Sequence, residues 1–152
     1  MPFIRKIEAR AYARATEISE RVSTAIQGIF PENIRQNVSI SEERAEGQSG
    51  DSISIISGLL DNRTECEHSF DFMLKQMEKK DLRAIQRSLD LRLSDHCVLF
   101  LRIDKQGAFL GKIRLADTAD VISTKIYFRD SPRCKRADAI LLIEKRLQNA
   151  EE

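Results

Sequence analysis

Cys97-Val98-Leu99-Phe100-Leu101-Arg102-Ile103 decides the fold class. Its side chains alternate, with Cys97, Leu99, Leu101 and Ile103 on one face and Val98, Phe100 and Arg102 on the other, the period of two of a β-strand buried on one side. After it, Gly107 and Gly111 bracket a short connection into a further strand at Lys112 to Leu115. Val121 to Arg129 repeats the alternation, with Ile122, Thr124, Ile126 and Phe128 opposite Ser123, Lys125, Tyr127 and Arg129. Ser131-Pro132 is a cap followed by proline at a first helical position, which predicts a closing helix over 132–148 carrying Ala137, Ile140, Leu141 and Leu147.

The same alternation occurs ahead of the quoted stretch at residues 6–13, where Ile7, Ala9, Ala11 and Ala13 face away from Lys6, Glu8, Arg10 and Tyr12. Thr16 is positioned to cap a helix in which Ile18, Val22, Ala25, Ile26 and Ile29 recur at helical spacing until Pro31. Two strands follow, one through Val38 and Ile40 and one over Ser52 to Leu60, joined by the turn-rich Gly47-Gln48-Ser49-Gly50-Asp51. Asn62 with Glu65 forms a capping-box pattern ahead of Cys66, Phe70, Met73 and Met77, and Asp81 caps a next helix through Leu82, Ile85 and Leu89. The predicted order is β-α-β-β-α-α-β-β-β-α. Strands do not strictly alternate with helices, so the fold class is α+β, a mixed or antiparallel sheet with helices mainly on one face. Ile7, Ala9, Leu99, Leu101, Ile103, Ile122 and Ile126 are expected to pack on Ile18, Val22 and Ile26.

The 152 residues fit a single domain, 1–152, and 41% hydrophobic with 32% charged residues is too apolar for a disordered chain. No apolar run approaches a membrane span, and Met1 to Lys6 has no signal-peptide character, so a cytoplasmic protein is expected. Cys66, Cys97 and Cys134 form no C-x-x-C pair, which points away from zinc and from a disulfide framework. The net charge is +1 but unevenly spread: residues 1–76 hold nine basic and twelve acidic side chains, whereas residues 99–136 hold nine basic against four acidic. Such a local excess suits a polyanion partner if folding gathers it on one face.

Catalytic constellations fail on their chemistry. His68 and Cys66 fall on different sides of a helix, and His96 and Cys97 on opposite faces of a strand, so neither pair shares a metal. Gly47-Gln48-Ser49-Gly50 is one residue short of a nucleophile elbow, and Asp51-Ser52 puts a negative charge where a P-loop has lysine. That loop reads as a turn whose amides could touch a phosphate. Ser94-Asp95-His96 reads as a turn, Glu42 and Glu43 project oppositely, and Asp117 and Asp120 flank a turn with Thr118. No enzyme activity, cofactor or metal is expected.

Three strands each set an aromatic among cations opposite their apolar stripe: Arg10 with Tyr12, Phe100 with Arg102, and Lys125 with Tyr127 and Arg129. Exposed aromatics stack on unpaired bases while Lys and Arg neutralise phosphates. The competing reading leaves the tyrosines as rim residues and Phe100 under a second layer.

Glu8-Ala9-Arg10-Ala11-Tyr12-Ala13-Arg14-Ala15-Thr16-Glu17 resembles the start of the archaeal RNA-binding proteins described as predicted exosome subunits. Glu46-Gly47-Gln48-Ser49-Gly50-Asp51 is similar to that family's Glu-Gly-x-x-Gly-Asn loop, with aspartate in place of asparagine. Leu99 to Gly111 is similar to its Leu-Arg-Leu-Asp-Lys-Gln segment and following glycine. The resemblance spans roughly residues 4–130 and implies a ribosomal protein L5-like fold, an archaeal source and no catalytic residues. It bears most on Arg102, Lys105 and Gln106. With Arg10, Tyr12, Lys112, Lys125, Tyr127 and Arg129 from charge and periodicity, these are the candidate RNA-binding residues, with Arg102 and Lys105 at the centre. The expected function is non-catalytic RNA binding as an accessory factor in RNA processing or ribosome metabolism, with processing or ribosomal proteins as further partners. The alternative is a protein-interaction or homodimerisation module.

Overall fold

The computed structural model describes residues 1–46 and 52–152; the Gly47 to Asp51 loop reading lies outside the described residues. The elements are β1 (Phe3–Ala13), α1 (Ser19–Gly28), a 3-10 turn (Arg35–Asn37), β2 (Ser39–Glu46), β3 (Ser52–Leu60), α2 (Arg63–Gln76), α3 (Lys79–Arg87), α4 (Leu89–Arg92), β4 (Val98–Asp104), α5 (Lys105–Phe109), β5 (Val121–Arg129) and α6 (Arg136–Glu151). The five strands pair antiparallel throughout in the order β2-β3-β1-β5-β4, so the sheet is antiparallel rather than mixed. No helix among the described residues is long and apolar enough to cross a membrane.

The period-two stripes behave as their alternation demands. Ile7, Ala9, Leu99, Leu101, Ile103, Ile122 and Ile126 are all buried on one sheet face, with Val22 and Ile26 of α1 in the same core. Gly58 of β3 allows close approach there: a Cβ at this position would stand 2.8 Å from Ile26 Cγ2 and 3.1 Å from Val38 Cγ1. Phe70 of α2 meets Phe128 of β5 edge-to-face at 6.0 Å, a favourable quadrupole arrangement. Asn62 caps α2 as read, accepting the Glu65 N–H at 3.0 Å. Arg146 of α6 holds Glu67 and Asp71 of α2, and Glu67 Oε1 in turn accepts the Ile4 N–H at 2.8 Å, so α6, α2 and β1 are linked.

Five local readings are corrected. Thr16 does not cap α1, which starts at Ser19 behind a tight turn in which the Glu17 N–H reaches the Arg14 carbonyl; Ile18 is consequently 59% exposed instead of buried. Asp81 lies inside the first turn of α3, where the carboxylate accepts the Leu115 N–H at 3.1 Å. Residues 112–115 form no strand: one bridge joins Leu115 to Ile103, because Asp104 instead caps α5 through the Gly107 N–H and Gly111, at φ +83°, turns the chain. Cys97 is buried as expected but precedes β4 in a left-handed turn, φ +62°. The closing helix begins at Arg136, not at Pro132, and it buries Ala139, Ile143 and Leu147 while Ala137 and Leu141 are exposed. Residues 139–143 are all apolar, so local pattern leaves the buried face undecided and docking on α2 and α3 selects it.

Candidate nucleic-acid interface

All the helices that bury the core stripes lie on one side, which leaves the second sheet face open. The ladders place its side chains in rows. In one row Arg10 of β1 and Arg102 of β4 stand on either side of Ser123 of β5. In the next row Glu8, Lys125 and Phe100 are adjacent, and in a third Lys6, Tyr127 and Val98. Tyr12 and Phe100 are 50% and 41% exposed, and exposed rings of this kind are what bases stack on. Lys125 Nζ stands 5.8 Å from the Phe100 ring centroid, and Lys6 Nζ and the Arg5 guanidinium stand 4.4 Å and 5.3 Å from that of Tyr127. Partial burial, reinforced by Glu8, pushes the Tyr127 hydroxyl above its ordinary range, so the ring stays neutral.

Six of the nine sequence-predicted positions, Arg10, Tyr12, Arg102, Lys125, Tyr127 and Arg129, share this face. Arg102 also donates from Nη2 to the Thr118 carbonyl at 2.7 Å while remaining exposed. Lys112 is exposed in the turn after α5. Lys105 and Gln106 fall elsewhere, because α5 packs against α1 on the helix side. The Lys105 ammonium is buried between Glu17 Oε2 at 2.7 Å and Asp120 Oδ1 at 2.6 Å, and donates to the Tyr12 carbonyl at 2.9 Å. Held by three oxygens, the ammonium is not open to an incoming phosphate, and of the two residues expected at the centre only Arg102 is exposed. Gln106 donates to Asp120 Oδ2 at 3.2 Å.

Lys6 and Arg5 complete the aromatic contacts without having been singled out. Lys6 was legible, since it alternates with Glu8 and Arg10; Arg5 reaches Tyr127 only because the β1–β5 register shifts between Ile4 and Lys6.

His68 and His96 are exposed on separate elements, and no group of three or more His, Cys, Asp or Glu among the described residues could hold a metal ion. Burial pushes the Cys66 thiol up to about 12, and burial with a hydrogen bond to Cys97 does the same for Cys134, so neither is a thiolate near neutrality. Glu42 accepts the Ser19 hydroxyl at 2.9 Å, tying β2 to α1, while Glu43 points the other way.

Comparison with known proteins agrees with a sheet of this kind. An archaeal protein of Pyrococcus abyssi named as RNA-binding is 25% identical over 132 residues, 86% of each chain. The crystal structure of a protein from Archaeglobus fulgidus superposes with a TM-score of 0.79 at 26% identity, over 94% of this chain and 99% of that one. A protein from Methanothermobacter thermautotrophicus gives 0.76 at 28% identity, over 95% and 98%. A family model described as RNA binding matches residues 6–128, from Lys6 on the open face through Phe128 beneath it, and so takes in every row just described. With most of its length inside that match, the chain belongs to this RNA-binding family.

Proposed function

We propose that this protein is a non-catalytic RNA-binding factor whose open sheet face holds single-stranded RNA, and that it serves RNA processing, as in the exosome, or ribosome metabolism in the cytoplasm. The observation that carries this reading is the Arg10–Ser123–Arg102 row, which puts two arginines on the open face with Ser123 between them and an exposed Phe100 in the next row. Guanidinium pairs neutralise adjacent phosphates, and rings beside them accept bases without regard to sequence. A fold like that of ribosomal protein L5, processing or ribosomal proteins as partners, and Lys112 and Arg129 as flanking contacts belong to the same proposal.

A titration of single-stranded RNA across salt concentrations tests it. With about three to five phosphates contacted, the slope of log affinity against log salt is roughly −2 to −3.5, at about −0.7 per contact. The double variant Arg10→Glu/Arg102→Glu then binds more weakly and with a slope shallower by about 1.4. An unchanged affinity and slope would remove the sheet face from RNA binding. A second reading, a homodimer or partner interface, is favoured by Leu141 of α6, 67% exposed beside an apolar concavity of about 360 Å³ that Met1, Pro2 and Leu142 help to line. An apolar interface of that kind is insensitive to salt.

A further inference from the structure

Beyond Tyr127, the end of β5 opens into a solvent-filled groove of about 850 Å³. Five cations line it, Arg5, Arg129, Arg133, Lys135 and Arg136, against two aspartates, Asp95 and Asp130. The aspartates do not cancel that excess. Asp130 accepts from the N-terminal ammonium at 3.4 Å and from the Ser131 N–H at 2.9 Å, so its charge is already answered. Asp95 stands 4.0 Å from Arg136 Nε and faces water. Arg136 itself is part of the wall, donating to the Leu93 and Asp90 carbonyls at 3.3 and 3.0 Å. Arg129, Arg133 and Lys135 have no ion-pair partner and donate no side-chain hydrogen bond among the described residues. Three unanswered cations in a concave surface raise a positive potential that a low-dielectric wall focuses.

The groove is continuous with the sheet. Arg129 stands two residues past Tyr127 on the same strand face, and the Arg5 guanidinium lies over the Tyr127 ring at 5.3 Å. We infer that this groove is a second, phosphate-binding part of the RNA site, along which the sugar–phosphate backbone leaves the sheet between Arg129, Arg133 and Lys135. The inference rests on the RNA-binding reading of the sheet. Phe128 in the lining is buried and the His96 imidazole is the one exposed aromatic ring there against five cations, so the groove takes mainly charge rather than bases. It therefore adds affinity that depends on RNA length and salt and is indifferent to sequence.

The test titrates oligouridylates of about 5 and about 15 nucleotides, near the short and long ends of common single-strand site sizes, into wild type, the groove variant Arg133→Glu/Lys135→Glu and the sheet variant Arg10→Glu/Arg102→Glu. All four positions are exposed, and circular dichroism confirms that each variant is folded. The groove variant should bind the longer probe at least about tenfold more weakly, with a salt slope shallower by about 1.4, and the shorter probe within about twofold of wild type. The sheet variant should lose affinity for both. A groove variant indistinguishable from wild type on the longer probe overturns the inference, and if the sheet variant still loses binding the sheet reading stands. Loss in the groove variant alone, with the sheet variant intact, overturns the sheet reading and with it the two-part site. Polyglutamate that displaces the longer probe as well as unlabelled RNA does would assign the groove to acidic protein instead.

Discussion

Lys105 Nζ lies 2.6 Å from Asp120 Oδ1, an ion pair that fastens the start of α5 to the chain entering β5. Glu17 closes the other side at 2.7 Å, and the Tyr12 carbonyl accepts the third hydrogen bond. A residue that the family resemblance and the basic segment mark as an RNA contact is thus a buried link between the β1–α1 turn, α5 and β5.

Lys105→Glu should therefore destabilise the protein. It removes the ammonium and adds a third carboxylate beside two others; breaking a buried pair costs about 3–5 kcal/mol, and the partial exposure of Glu17 and Asp120 brings the expected loss to about 3 kcal/mol. Urea denaturation followed by circular dichroism measures it. A midpoint equal to that of wild type would show that the link carries no stability.

The same pair predicts the acid response. Burial works to raise the Asp120 carboxyl, but hydrogen bonds from Lys105 and Gln106 and the charge of Lys105 outweigh it, and the group lies below the ordinary aspartate range. A carboxyl lowered on folding contributes stability that is full above the unfolded value of about 3.9 and is lost as pH falls through the folded value. The stability gap between wild type and Asp120→Asn should accordingly be constant near neutrality and close below about pH 4. Urea midpoints across that range decide it; a gap that widens in acid contradicts the assignment.

Ser69 of α2 carries a fully buried hydroxyl with no hydrogen-bond partner among the described residues. An unsatisfied buried polar group costs about 1–3 kcal/mol, and alanine removes it while leaving only a small void. Ser69→Ala should be neutral or stabilise by up to about 1 kcal/mol, read as a rise in thermal midpoint. A clear loss of stability would mean that the hydroxyl has a partner in solution.

Tyr12→Ala separates stacking from charge. Stacking of a base on an aromatic ring contributes about 1–3 kcal/mol, so affinity for single-stranded RNA should fall by at least about fivefold. Because stacking displaces no counterion from a phosphate, the salt slope should not move. An unchanged affinity would leave Tyr12 as a rim residue, and a changed slope would point to altered folding.

The sequence by itself determined the strand faces. Alternation is a local property, set by consecutive side chains pointing to opposite sides of one strand, and Ile7, Leu99, Leu101, Ile122 and Ile126 needed nothing distant to be assigned to the core. The α2 cap at Asn62 was legible for the same reason, since donor and acceptor are three residues apart. Six positions of the open face followed from the alternation. The tertiary structure alone decided which strands are neighbours, and so which cations share a row. Arg10 and Arg102 share a row on either side of Ser123 only because β5 pairs with both β1 and β4. It also decided that Lys105 is spent, because Glu17 and Asp120 come from distant segments. Likewise, α6 presents Ala139, Ile143 and Leu147 to the core because its docking selects one side of an otherwise apolar run. Periodicity reports the face of an element, whereas charge pairing and docking depend on what the rest of the chain brings to that face.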